Sequence, residues 1–73
     1  MNEYSRILIE RYCRENPKTK KARFLGDMVE MSYDVCCLPS DSDLLYLAQL
    51  ISRERNPELK EALQDLDDFM CGY

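Results

Sequence analysis

Seventy-three residues, 45% hydrophobic and 33% charged, suffice for one small domain with an apolar core and exclude a disordered chain. A net charge of −4 at pH 7 disfavours free nucleic acid or an anionic membrane as the main partner. No run approaches the length of a membrane span and no long apolar leader opens the chain, so a cytoplasmic protein with reduced thiols is expected.

The charge is uneven along the chain. Residues 1–23 hold seven Lys/Arg against three acids, and residues 24–73 hold three against eleven.

The first expected helix spans 3–15, with Asn2 as its N-cap. Tyr4, Leu8 and Tyr12 recur at i, i+4 and i+8, flanked by Ile7 and Ile9. Arg6, Glu10, Arg11 and Arg14 fall mostly on the other side, with Glu10 and Arg14 spaced as a favourable pair. Asn16-Pro17 ends the helix, because the residue before a proline is pushed out of the α region.

A short basic connection, Pro17 to Lys21, leads into a second helix expected over 19–37. Phe24, Leu25, Met28, Val29, Val35 and Cys36 share its apolar face. Arg23, Asp27, Glu30 and Asp34 share the opposite one. Gly26 costs about 1 kcal/mol against alanine in a helix interior and marks either a close approach of another helix or a kink. Ser32 lies on the apolar face and is expected to bond back to a carbonyl one turn earlier. Leu38-Pro39 closes the segment.

The third helix, 42–55, is the most apolar stretch. Ser40 with Asp43 three residues on resembles a capping box, and Ser42 competes with Ser40 for the N-cap. Leu44, Leu47, Ala48 and Ile51 form one face, widened by Leu45 and Leu50. A helix apolar over so much of its circumference is expected at the centre of a small core.

Asn56-Pro57-Glu58 starts the fourth helix, 57–71: an amide at the N-cap, proline at the first helical position and an acid in the first turn. Leu59, Ala62, Leu63, Leu66, Phe69 and Met70 form the inner face, and Gly72 suits the position after the end. Short connections make neighbouring helices antiparallel. The expected fold is therefore all-α: a compact single-domain bundle of four short antiparallel helices, with the third central.

Three features stand out against that frame. The first is acidic. Glu58, Glu61, Asp65 and Asp68 line the outer side of the fourth helix, joined by Asp67. Near a helix C-terminus, Asp65, Asp67 and Asp68 oppose the macrodipole, where stability alone favours Lys or Arg. With Asp27, Glu30 and Asp34 of the second helix, the chain has acidic faces suited to a basic protein groove. The bland alternative is a solvated face that maintains solubility.

The second is basic: Lys18, Lys20, Lys21 and Arg23 at the start of the second helix. They suit a phosphate or an acidic partner, or simply a solvated loop. The third is the set of five tyrosines. Tyr4 and Tyr12 fit the core stripe, whereas Tyr33 and Tyr46 fall on the polar side as candidate aromatic anchors for a partner.

Chemistry has little support. There is no histidine, no glycine-rich phosphate loop and no serine with a base at a recognisable spacing. The cysteines, Cys13, Cys36, Cys37 and Cys71, lack zinc-ligand spacing and read as small hydrophobes. No catalytic residue, metal or cofactor is assigned. Helix-turn-helix DNA binding needs a recognition helix with exposed basic or amide residues; the third helix is too apolar for this, and the second and fourth are too acidic.

In size, acidity and all-helical pattern, the chain resembles small proteins encoded by phages and mobile elements, among them anti-CRISPR inhibitors of host nucleases. The resemblance is compositional and covers no motif. It implies a non-enzymatic inhibitor that docks an acidic helical face on a basic, nucleic-acid-binding protein. The alternatives are a self-associating structural or regulatory homodimer, and a nucleic-acid-binding accessory protein acting through Lys18 to Arg23.

Overall fold

Each helix begins where a side chain caps it. The computed structural model describes residues 1–33 and 38–71. Asn2 caps α1 (Glu3–Glu15), its side-chain oxygen accepting from the Tyr4 N–H at 2.8 Å. Thr19 caps α2 (Lys20–Met31), accepting from the Ala22 N–H. Ser40 caps α3 (Asp41–Arg53) in a complete capping box: its Oγ accepts from the Asp43 N–H and the Asp43 carboxylate accepts from the Ser40 N–H, both at 3.1 Å. Asn56 caps α4 (Pro57–Met70), accepting from the Glu58 and Leu59 N–H groups, with Pro57 first in the helix. These are the orphan donors every helix start must satisfy.

The four helices form the all-α bundle expected, but α2 is shorter. It ends at Met31, and the Ser32 hydroxyl donates to the Val29 carbonyl. A serine side chain that takes a carbonyl of the last turn in this way competes with the helical ladder. The expected continuation through Val35 and Cys36 falls outside the described residues, as do Asp34, Cys37 and Gly72.

Leu25, Met28 and Val29 of α2, Leu47, Leu50 and Ile51 of α3, and Leu59, Ala62, Leu63 and Leu66 of α4 meet Ile9 of α1 in one core. Each fully buried Leu or Ile stabilises by about 1.5–3 kcal/mol relative to exposure. Alanine and cysteine fill the tighter places. Ala22 is buried, and Cys13 is half-buried with its thiol donating to the Ala22 carbonyl at 3.3 Å.

The central place expected of the third helix is shared out. α1 packs on α2 and on α4, and α4 packs on α3. Phe24 and Tyr46 close the ring between α2 and α3, edge to face with centroids 4.6 Å apart. α3 buries three residues, where α2 and α4 bury four each. Its Ala48 and Leu45 face solvent, Leu45 with 63% of its surface exposed. A ring of four helices draws only one side of each into the core, so the surplus apolar surface of α3 stays outside.

The face of α1 is also turned. Ser5 and Ile9 are buried and Cys13 half-buried, whereas Tyr4 is 59% exposed and Ile7 is exposed too. The buried row is i, i+4, i+8 shifted one residue from the expected Tyr4–Leu8–Tyr12, because α1 must serve two neighbours. Leu8 and Tyr12 line its α4 side, and Glu10 and Cys13 its α2 side. On α4, Phe69 is exposed rather than inward.

Candidate partner-binding surface

The acidic residues of α4 divide into two groups. Glu58 and Asp65 lie on the seam with α1. The Tyr4 hydroxyl donates to Glu58 at 2.8 Å, and the Asn2 N–H donates to Asp65 at 2.9 Å. The bond to Glu58, together with its charge, pushes the Tyr4 phenol above its ordinary range. α1 and α4 run in opposite directions, since Asn2 before α1 meets Asp65 in the second half of α4 while Tyr12 and Glu15 at the end of α1 line a groove with Asn56 and Glu58 at the start of α4. Glu61 and Asp68 are exposed and make no such bond to α1, Glu61 beside the same seam, and Asp67 is half-buried.

Charge is concentrated on this helix. α4 carries five of the fourteen acids and one of the ten basic residues, leaving nine of each for the remainder of the chain. The net charge of the molecule is therefore the charge of α4. Among the described residues, the ion pairs are Arg6 with Glu3 and Glu10, and Lys21 with Glu54. None of them involves α4. Its last turn holds no basic residue, so the C-terminal carboxylates face the negative end of the helix dipole unrelieved.

The α2 acids are separate. Asp27 and Glu30 are exposed on α2, and Asp34 lies outside the described residues. Glu30 lines an open groove between α1 and α2 together with Cys13, Arg14, Gly26, Val29 and Tyr33.

Of the basic run, Lys21 is drawn inward and the other three are exposed. Lys21 donates to the Glu54 carboxylate, and its ammonium lies 4.9 Å from the Tyr12 ring centroid. Lys20 lies 5.3 Å from the Tyr46 ring centroid. Such cation–π contacts contribute about 0.5–1 kcal/mol at exposed sites. Lys18 and Arg23 are exposed. Two of the four cations thus tie α2 to α1 and α3.

The two tyrosines proposed as anchors part company. Tyr33 is 63% exposed beside the α1–α2 groove, and Tyr46 is half-buried between Phe24 and Lys20. Tyr4, assigned to the core from its spacing, is instead the exposed ring beside Glu58. Its i+4 relation to Leu8 gave no sign of this, because it is the pairing of α1 with α4 that turns Tyr4 outward.

Among the described residues, no cluster of three or more His, Cys, Asp or Glu could hold a metal ion, and no helix is long and apolar enough to cross a membrane. Burial, reinforced by the Glu10 carboxylate, pushes the Cys13 thiol up, so it stays protonated near neutral pH.

The fold and this surface define a small four-helix bundle with one strongly acidic helix. No family model matches the chain, and no curated protein or solved structure matches it.

Proposed function

We propose that the chain is a non-enzymatic protein-binding module that docks the acidic face of α4 on a basic protein surface. The observation that carries this reading is the unpaired charge of α4: five carboxylates, no ion pair to the rest of the described chain, and no cation in the last turn. Such an arrangement works against the stability of the helix and favours association with a positive surface, mainly by steering encounter and fixing orientation. Where the basic partner binds nucleic acid, the docked helix occludes that site sterically and electrostatically, as the resemblance to phage-encoded inhibitors suggests. Glu61 and Asp68 are the contact residues to test, because Glu58 and Asp65 also hold α1.

The test is capture from a host-cell lysate by wild-type chain and by the Glu61→Lys, Asp68→Lys double variant, each with and without nuclease. The expected result is one basic protein, retained by wild type under both conditions and lost with the double variant at unchanged helical content. Equal capture by both chains, or capture that disappears with nuclease, overturns the reading. The second of these outcomes would favour the nucleic-acid alternative through Lys18, Lys20 and Arg23, the exposed members of the basic run.

A further inference from the structure

The α1–α4 seam holds a hollow of about 100 Å³ between Tyr4, Ser5 and Leu8 of α1 and Glu58, Glu61 and Ala62 of α4. That is below the ~300 Å³ at which clefts begin to take whole small molecules, so its size suits the head group of one side chain. Leu8 and the buried Ala62 give it apolar wall, and no Lys or Arg lines it. Ser5 is a buried polar residue, only 7% exposed. Among the described residues its hydroxyl has no hydrogen-bond partner. It does not return to a carbonyl of its own helix, as the Ser32 hydroxyl does. Side-chain oxygens sealed from solvent all have partners here, so the Ser5 hydroxyl is not sealed and opens into the hollow that it lines. A buried polar group left in this way calls for an explanation from outside the chain.

The other walls agree with it. Glu58 uses one oxygen, Oε2, to accept from the Tyr4 hydroxyl, and that bond holds the exposed Tyr4 ring at the hollow. Neither Glu58 nor Glu61 is in an ion pair among the described residues. Both act on the Tyr4 phenol and push it up, Glu58 first, through its hydrogen bond and its charge, and Glu61 by charge. The hollow therefore joins two carboxylates, an unpartnered hydroxyl and an aromatic ring, with no cation among them. The group that complements this set is a flat cation with several N–H donors.

We propose that the hollow receives the guanidinium of an arginine projecting from the basic partner, an inference that rests on the docking role of α4 proposed above. The fork of N–H donors serves the second Glu58 oxygen, the Glu61 carboxylate and the Ser5 hydroxyl together, while the guanidinium plane stacks on the Tyr4 ring. Water satisfies the Ser5 hydroxyl until the arginine replaces it. A lysine ammonium has fewer donors and no plane, and it holds its hydration more strongly, so it fits the same set less well.

Titration of the isotope-labelled chain with N-acetyl-arginine methylamide, and separately with its lysine analogue, tests this through amide chemical shifts. The arginine probe is expected to give saturable shifts at Ser5, Glu58 and Glu61, and the lysine probe to bind about threefold or more weakly. Ser5→Ala and Glu61→Gln should each weaken the arginine probe about threefold or more at unchanged helical content. Asp41→Asn removes an exposed carboxylate at the start of α3 and should leave the affinity as it is, which separates the hollow from the net charge. Absence of saturable shifts overturns the inference. So does an equal response to the two probes, an affinity indifferent to both Ser5→Ala and Glu61→Gln, or one lowered as much by Asp41→Asn. Lysate capture by α4 with no arginine binding leaves the docking reading standing without this site. Arginine binding with no capture leaves the site and removes the docking reading.

Discussion

The Lys21 ammonium donates to the Glu54 carboxylate, joining the first turn of α2 to the C-cap of α3. Both side chains are mostly buried, with 26% and 10% of their surfaces exposed. The same ammonium lies over Tyr12 of α1, so one cation ties three helices at one end of the bundle. Removing the charge while keeping the stem, as in Lys21→Met, leaves a poorly solvated carboxylate without its cation. The expected loss is about 1–2 kcal/mol, above the range for exposed pairs and below that for fully buried ones. Urea unfolding measures it; a change within error would show that solvent screens the pair.

The same pair makes stability depend on pH. Burial pushes the Glu54 carboxyl up, but Lys21 and the N–H groups of Asn56 and Arg55 outweigh it and hold the group below its ordinary value. A carboxyl lowered in the folded state contributes stability that is complete above its unfolded pKa. That stability is lost as pH falls through the folded pKa. The wild-type chain should therefore lose its advantage over Glu54→Gln on acidification below the ordinary carboxylate range. Melting temperature against pH for the two chains shows this as converging curves; parallel curves would remove Glu54 from the account.

Gly26→Ala should stabilise the monomer by about 0.5–1 kcal/mol, through helix propensity and a less flexible unfolded chain. The open space around the added methyl group excludes a clash. Urea midpoints at low protein concentration, where association does not contribute, provide the measurement. A destabilised variant would mean that the backbone at Gly26 is under a constraint of its own.

Leu63 and Leu45 make a matched comparison of two leucines in adjacent helices. Leu63 is fully buried and Leu45 is 63% exposed. Leu63→Ala should cost about 2–5 kcal/mol by opening a cavity. Leu45→Ser should change stability by no more than about 0.5 kcal/mol. Similar losses at both sites in thermal melts would return Leu45 to the core.

Asp68→Lys places a cation in the last turn of α4. It should raise stability by about 0.3–1 kcal/mol at low salt, with the gain fading as salt is added. On the proposed function, the same change weakens partner capture. A variant that is both more stable and less able to bind would separate the charge of α4 from any structural role. Unchanged capture would leave that charge to solubility alone.

The helix starts and the class of fold were decided locally. Asn2, the Ser40–Asp43 box and Asn56-Pro57 bond backbone groups within three residues of themselves, so adjacent residues suffice to place them. Asn16-Pro17 ends α1 for an equally local steric reason. The inner faces of α2 and α4 were legible from helical spacing at Leu25, Met28 and Val29, and at Leu59, Ala62, Leu63 and Leu66. The concentration of acids on one helix was legible too. Only the tertiary structure decided how each helix is rotated and which neighbours it meets. Tyr4 turned outward to Glu58, Leu45 and Ala48 were left in solvent, and Lys20 and Lys21 were drawn onto Tyr46 and Tyr12. Periodicity specifies that a helix has an apolar side. The width of that side and the fate of residues at its margins depend on how many neighbours the helix serves, and that follows from packing all four at once.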